Sequence, residues 1–142
     1  MSDIYNLKRF VDAQSEIYEL AVGELKSGRK TSCWMWYIFP QIKGLGHSLI
    51  SKEYAISSKL EAKSYSEHPI LGPRLIECTQ IVIDIEGCTA EQIFHEPDYL
   101  KFRSCMTLFE YSVANNEIFR IALLKYFDGK PDPLTLAILE CD

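Results

Sequence analysis

Apolar residues recur at helical spacing along almost the whole chain. Leu7, Phe10 and Val11 open a short helix that breaks near Gln14, and from Ser15 to Lys26 the positions Ile17, Leu20, Ala21 and Leu25 share one face. Gly28 stands where a helix C-terminal glycine belongs. The cluster from Cys33 to Phe39 stops at Pro40 and is read as a short buried helix capped from Thr31-Ser32, a short strand being the alternative. After the Gly44-Leu45-Gly46 turn, Leu49, Ile50 and Tyr54 fit one helical face, and Ser58 opens a stretch that ends near His68-Pro69. Pro73 suits the first turn of a helix running to about Glu86; the β-branched run Ile81-Val82-Ile83 suits a strand equally well, but length decides for helix.

The second half continues the pattern. Thr89-Ala90-Glu91-Gln92 has capping-box spacing, and Pro97-Asp98 starts a helix on which Phe102, Met106, Phe109 and Val113 share a face. Asn115-Asn116 breaks it. A helix from Glu117 to Phe127 ends at Asp128-Gly129, and Pro133 begins the last one. The expectation is an all-α, compact single domain over residues 1–142, built from roughly seven to nine short helices. No repeat, low-complexity tract or long linker divides it.

Composition narrows the function classes. With 142 residues, 47% of them hydrophobic, the chain can bury roughly two-thirds of its unfolded surface and needs neither metal nor disulfide to fold. Fifteen basic against 20 acidic residues give a net charge of -5, which disfavours a bulk-charge grip on nucleic acid or an anionic membrane. The five cysteines, at 33, 78, 88, 105 and 141, form no CxxC and no short pair, and the histidines at 47, 68 and 95 lie far apart. No metal site and no cofactor are expected. The start lacks a basic region followed by an apolar one, and no apolar window approaches about 18 residues, so a cytoplasmic location is expected.

Two segments concentrate residues able to carry chemistry. In the first, from Gly28 to Gln41, two tryptophans, a tyrosine and a phenylalanine follow Arg29 and Lys30, the composition of an aromatic cavity with an anion clamp. The plainer alternative makes the rings core anchors and the cations partners of the preceding helix's carbonyls. It leaves open where two indole N–H groups find acceptors. In the second segment Lys101, Arg103, Ser104 and Thr107 fall near a helix start, where free N–H groups favour an anion; alternatively the hydroxyls satisfy backbone groups and the cations face solvent. Cys33 and Cys105 invite comparison with thiolate nucleophiles, yet cysteines in apolar runs are usually packing residues. His68, before Pro69, suits a helix junction and a capping role. Gly44-Leu45-Gly46 lacks the lysine and context of a phosphate loop.

The strings Trp34 to Gln41, Gly44-Leu45-Gly46, Tyr54-Ala55-Ile56, His68 to Leu75 and Lys101 to Phe109 occur in an order that resembles the "domain of unknown function 1810" family over nearly all the chain. The resemblance implies a small, mostly helical protein and no established activity. Some members carry the label calpastatin, and this compact, aromatic-rich chain argues against it, since such inhibitors are long, repetitive and disordered. Relatives often show histidine at the position of Cys33 and serine at that of Cys105, which weakens any chemistry built on position 33.

The leading expectation is a binding domain for a small phosphorylated or carboxylated molecule, such as a nucleotide. Trp34 and Trp36 would be its stacking walls, Gln41 a polar reader, and Lys30, Lys101 and Arg103, with Ser104, the anion clamp. An enzyme using the same cavity, a transferase or hydrolase with Ser104 or Cys105 as nucleophile and His68 as base, is the alternative. A protein-interaction module is another. The leading reading requires the 29–41 and 101–107 segments to meet in space.

Overall fold

The structure is a computed structural model that describes residues 3–141; positions 1, 2 and 142, which the sequence reading includes in the domain and, at the start, in its search for an export signal, lie outside the described residues. Among the described residues ten helices follow in order: α1 Lys8–Gln14, α2 Tyr18–Lys26, α3 Met35–Ile38, α4 Leu49–Glu53, α5 Lys59–Glu67, α6 Leu71–Asp84, α7 Ala90–Phe94, α8 Asp98–Glu110, α9 Glu117–Phe127 and α10 Pro133–Glu140. The described residues hold no strand beyond one parallel bridge between Ile42 and Ile56. The all-α expectation holds. The count exceeds the expected seven to nine because α3, α4 and α7 are elements of only four or five residues. No helix of the described residues is long and apolar enough to cross a membrane.

Local chemistry sets most boundaries. Gly28 ends α2 with a φ of +81°, a left-handed conformation that costs glycine little. Ser48 and Ser58 accept N–H bonds at the starts of α4 and α5, and Thr89 and Gln92 form a reciprocal capping box on α7. Pro73 lies in the first turn of α6, and Pro133 is the first residue of α10 behind the capping carboxylate of Asp132. Two expectations need correction. Ser32 does not cap α3, because its hydroxyl and N–H both bond Glu24. Leu49 does not join Ile50 and Tyr54 on an inner face, being 88% exposed.

Helix α8 lies at the centre, packed against α5, α7, α9 and α10. Phe102, Cys105, Met106, Leu108 and Phe109 on it are all fully buried. Phe102 stacks on Phe94, with centroids 4.7 Å apart, and meets Phe39 edge-on at 5.0 Å. Phe39 in turn tilts against Trp34 at 6.4 Å. This aromatic column fixes the start of α8 against the segment around α3, and so places the two chemistry-bearing segments side by side.

Candidate functional site

The first two turns of α8 form one wall of an open cavity of about 580 Å³, within the usual range for small-molecule sites. Leu100, Lys101 and Ser104 line it from the helix and Pro97 from the residue before it; Trp36 lines it from α3 and Gln41 from the segment that follows. The Lys101 ammonium lies over the Trp36 ring, 4.2 Å from its centroid. It also pairs with Asp98 Oδ1 at 3.1 Å, while Asp98 Oδ2 pairs with Lys30 at 2.7 Å. One carboxylate thus serves two ammonium groups and leaves an unbalanced positive charge at the cavity wall. That residual charge is available to an anion.

The opposite wall is the segment from Gln41 to Ala55. Its base is tied by the bridge: Ile56 N–H donates to Gln41 C=O and Lys43 N–H to Ile56 C=O, each at 2.8 Å. Tyr54 packs edge-on against Tyr37 at 4.8 Å and also lines the cavity. At the turn, a Cβ on Gly46 would stand 2.5 Å from Ser51 Oγ and 2.6 Å from Ser51 Cβ. Because Ser51 Cβ is fixed to α4, the loop and helix must separate to admit it. Gly46→Ala is therefore expected to cost about 1–2 kcal/mol of stability in urea unfolding. A loss below about 0.5 kcal/mol would show a wall that yields freely.

At the far end of the α8 wall, Ser104 Oγ bonds Leu100 C=O and Asp132 Oδ2, each at 3.1 Å. Arg103 also lines the cavity, but its guanidinium is held by donation to the carbonyls of Lys130 and Pro131 at 2.9 Å. Thr107 is fully buried, donates to Arg103 C=O and accepts from Asp132 N–H. Its hydroxyl serves the backbone.

Of the candidate residues, Trp36, Gln41, Lys101, Arg103 and Ser104 lie around the cavity, and Lys30 and Trp34 lie outside its lining. Trp34 is fully buried and its indole N–H donates to Glu24 Oε1 at 2.9 Å. Lys30 is buried over the Trp34 ring at 5.1 Å. The acceptor question raised by the two indoles thus has a split answer, for no hydrogen bond among the described residues uses the Trp36 N–H. Cys105 is fully buried, and burial pushes its thiol pKa well above the usual range, the opposite of an activated nucleophile. Cys33 is exposed. His68 Nδ1 accepts the N–H groups of Ile70 and Leu71, the junction role its sequence position suggests. Sequence reasoning passed over Asp98, His47, Tyr54 and Asp132. The spacing of Asp98 to Lys101 and the Asp132-Pro133 cap pattern were the available signals for two of them. No group of three or more metal-ligating side chains forms among the described residues.

Fold and cavity together define a class: a small all-helical protein with an open cleft between its central helix and a glycine-containing loop. The chain belongs to the family described as "Protein of unknown function (DUF1810)", whose model matches residues 4–139. It is similar to the conserved hypothetical protein Rv1873 from Mycobacterium tuberculosis, known from a crystal structure at 1.38 Å. The two share 47% sequence identity, covering 97% of this chain and 99% of that one, with a TM-score of 0.96. No curated protein matches the chain.

Proposed function

We propose that the cleft beside α8 binds a small molecule carrying a phosphate or carboxylate group. The observation that carries this reading is the meeting of two segments some 60 residues apart in one cavity, with the Lys101 ammonium 4.2 Å from the Trp36 ring centroid. Lys101 supplies the ion pair, Trp36 an apolar face, and Gln41 and Ser104 polar contacts at the edges. Lys30 acts from behind by sharing Asp98, which keeps Lys101 from being fully neutralised. Arg103, tied to two carbonyls, contributes charge rather than a mobile clamp.

Trp36 makes the test direct. In a Trp34→Phe background it is the remaining tryptophan, and its emission reports the cavity. A panel of nucleotides, sugar phosphates and carboxylates is expected to contain a compound that shifts this emission and raises the melting temperature. Lys101→Ala is expected to weaken that compound about 10- to 100-fold, the worth of a charge-assisted hydrogen bond. Equal affinity in the variant, or silence across the panel, overturns the reading. A protein-binding face is the second reading, drawn from Leu100 and Leu134, which line the cavity yet are 42% and 66% exposed. Concentration-dependent sedimentation abolished by Leu134→Ser would favour it.

A further inference from the structure

Asp132 introduces a negative charge into a cavity otherwise suited to anions, and its two oxygens have different surroundings. Oδ2 accepts from Ser104 Oγ and Thr135 N–H at 3.1 Å and from Thr135 Oγ1 at 2.6 Å. No hydrogen bond or ion pair among the described residues uses Oδ1. The capping of α10 accounts for Oδ2, and a serine, threonine or asparagine would cap equally well. It accounts neither for the second oxygen nor for a full negative charge beside a cavity. A carboxylate there repels a simple anion but attracts a donor on the same ligand.

Lys101, Ser104 and Asp132 all line the cavity. The ammonium leans back towards Asp98 and the carboxylate bonds Ser104 one turn further along α8, so the two charges stand at opposite ends of one wall. The ammonium also lies against the Trp36 ring, so the ligand's anionic group and the indole occupy the same place. That geometry disfavours a long ligand whose flat ring and anion are far apart. Resting on the anion-site reading above, we propose that the cleft selects a compact bipolar molecule. Its phosphate or carboxylate faces Lys101, and an ammonium or hydroxyl donor a few bonds away faces Asp132 Oδ1.

Matched pairs test this by titration calorimetry: phosphoethanolamine against ethyl phosphate, and glycerol 3-phosphate against propyl phosphate. The wild type is expected to bind at least one donor-bearing member about tenfold more tightly than its partner, the effect of one hydrogen bond to a charged group. Which pair shows the preference tells ammonium from hydroxyl. Asp132→Asn and Asp132→Ser both retain a helix-capping side chain, and their melting curves report folding separately. Both variants are expected to bring an ammonium preference within about threefold, and Asp132→Ser a hydroxyl preference likewise. Equal binding of both members of each pair by the wild type, with binding still dependent on Lys101, overturns the role of Asp132 and leaves the anion site standing. So does a preference that survives in Asp132→Ser. If none of the four compounds binds while another anion does so through Lys101, the bipolar selection fails alone; if no anion binds through Lys101, both readings fail.

Discussion

Replacing Glu24 with alanine is expected to lower stability by about 4 kcal/mol, and the melting temperature by about 10–15 °C. Glu24 is 8% exposed and its carboxylate accepts four hydrogen bonds: the N–H groups of Thr31 and Ser32, the Ser32 hydroxyl and the Trp34 indole N–H. Alanine leaves the Trp34 N–H, in a fully buried ring, without an acceptor, and it frees the loop that delivers α3 to the core. Glu24→Gln keeps one acceptor oxygen and the side-chain volume, and is expected to lose about half as much. Urea unfolding measures both. A Glu24→Ala protein within about 1 kcal/mol of the wild type would show that the loop is held by ring packing alone.

The same carboxylate sets a pH dependence. Burial alone would raise its pKa, but the Ser32 hydroxyl, the Thr31 N–H, the Trp34 indole and the Ser32 N–H outweigh burial and lower it to about 2 from a usual 4.5. Between those values the unfolded chain binds a proton that the folded one does not, so acid favours unfolding. The stabilisation is complete above about pH 4.5 and drains away as pH falls towards 2. The stability difference between wild type and Glu24→Gln should therefore shrink across this window.

Much of the fold was legible because local chemistry dictates it. Asp128-Gly129 ends α9 through a left-handed Asp128 and a Gly129 N–H bonded to Leu123 C=O, and residues of this type at that position announce such an ending. The capping box at Thr89 and the proline opening α10 are equally local. The site was legible as composition and not as direction. Trp34 and Trp36 look equivalent in the sequence, yet Trp34 is the non-helical residue before α3 and Trp36 lies within its single turn, so the two side chains leave the backbone in different directions. One ring enters the core and the other borders the cleft. Likewise nothing local shows that Lys30 and Lys101 share Asp98, since 68 residues of chain separate Lys30 from that carboxylate. Asp132 reads as a cap from its neighbours; its place in the cavity depends on Ser104, 28 residues away. Burial likewise assigns Cys105 to packing, at the centre of the core, whereas Cys33 is exposed.

Arg9→Ala is expected to cost about 3–5 kcal/mol, the penalty for leaving a buried charge without its partner. Its guanidinium uses all five N–H donors. Nε bonds Glu53 C=O at 2.9 Å, Nη1 bonds the carbonyls of Tyr5 and Asn6, and Nη2 bonds Ala55 C=O at 2.8 Å and Glu61 Oε2 at 2.9 Å. The Glu61 side chain is only 3% exposed, and its other oxygen accepts from the N–H and hydroxyl of Ser57. Arg9→Lys supplies one charge but not the planar fork, and should recover less than half the loss. Adding Glu61→Gln to Arg9→Ala removes the stranded charge and should restore at least about 1 kcal/mol relative to additivity in a double-mutant cycle. The consequence reaches the cleft, because Arg9 pins the carbonyls on either side of Tyr54, and Tyr54 and Ala55 form part of the wall facing α8. Trp36 emission in the Trp34→Phe background should therefore respond less to any cavity ligand once Arg9 is removed, even below the unfolding transition. A response unchanged in Arg9→Ala would separate the wall from the network beneath it.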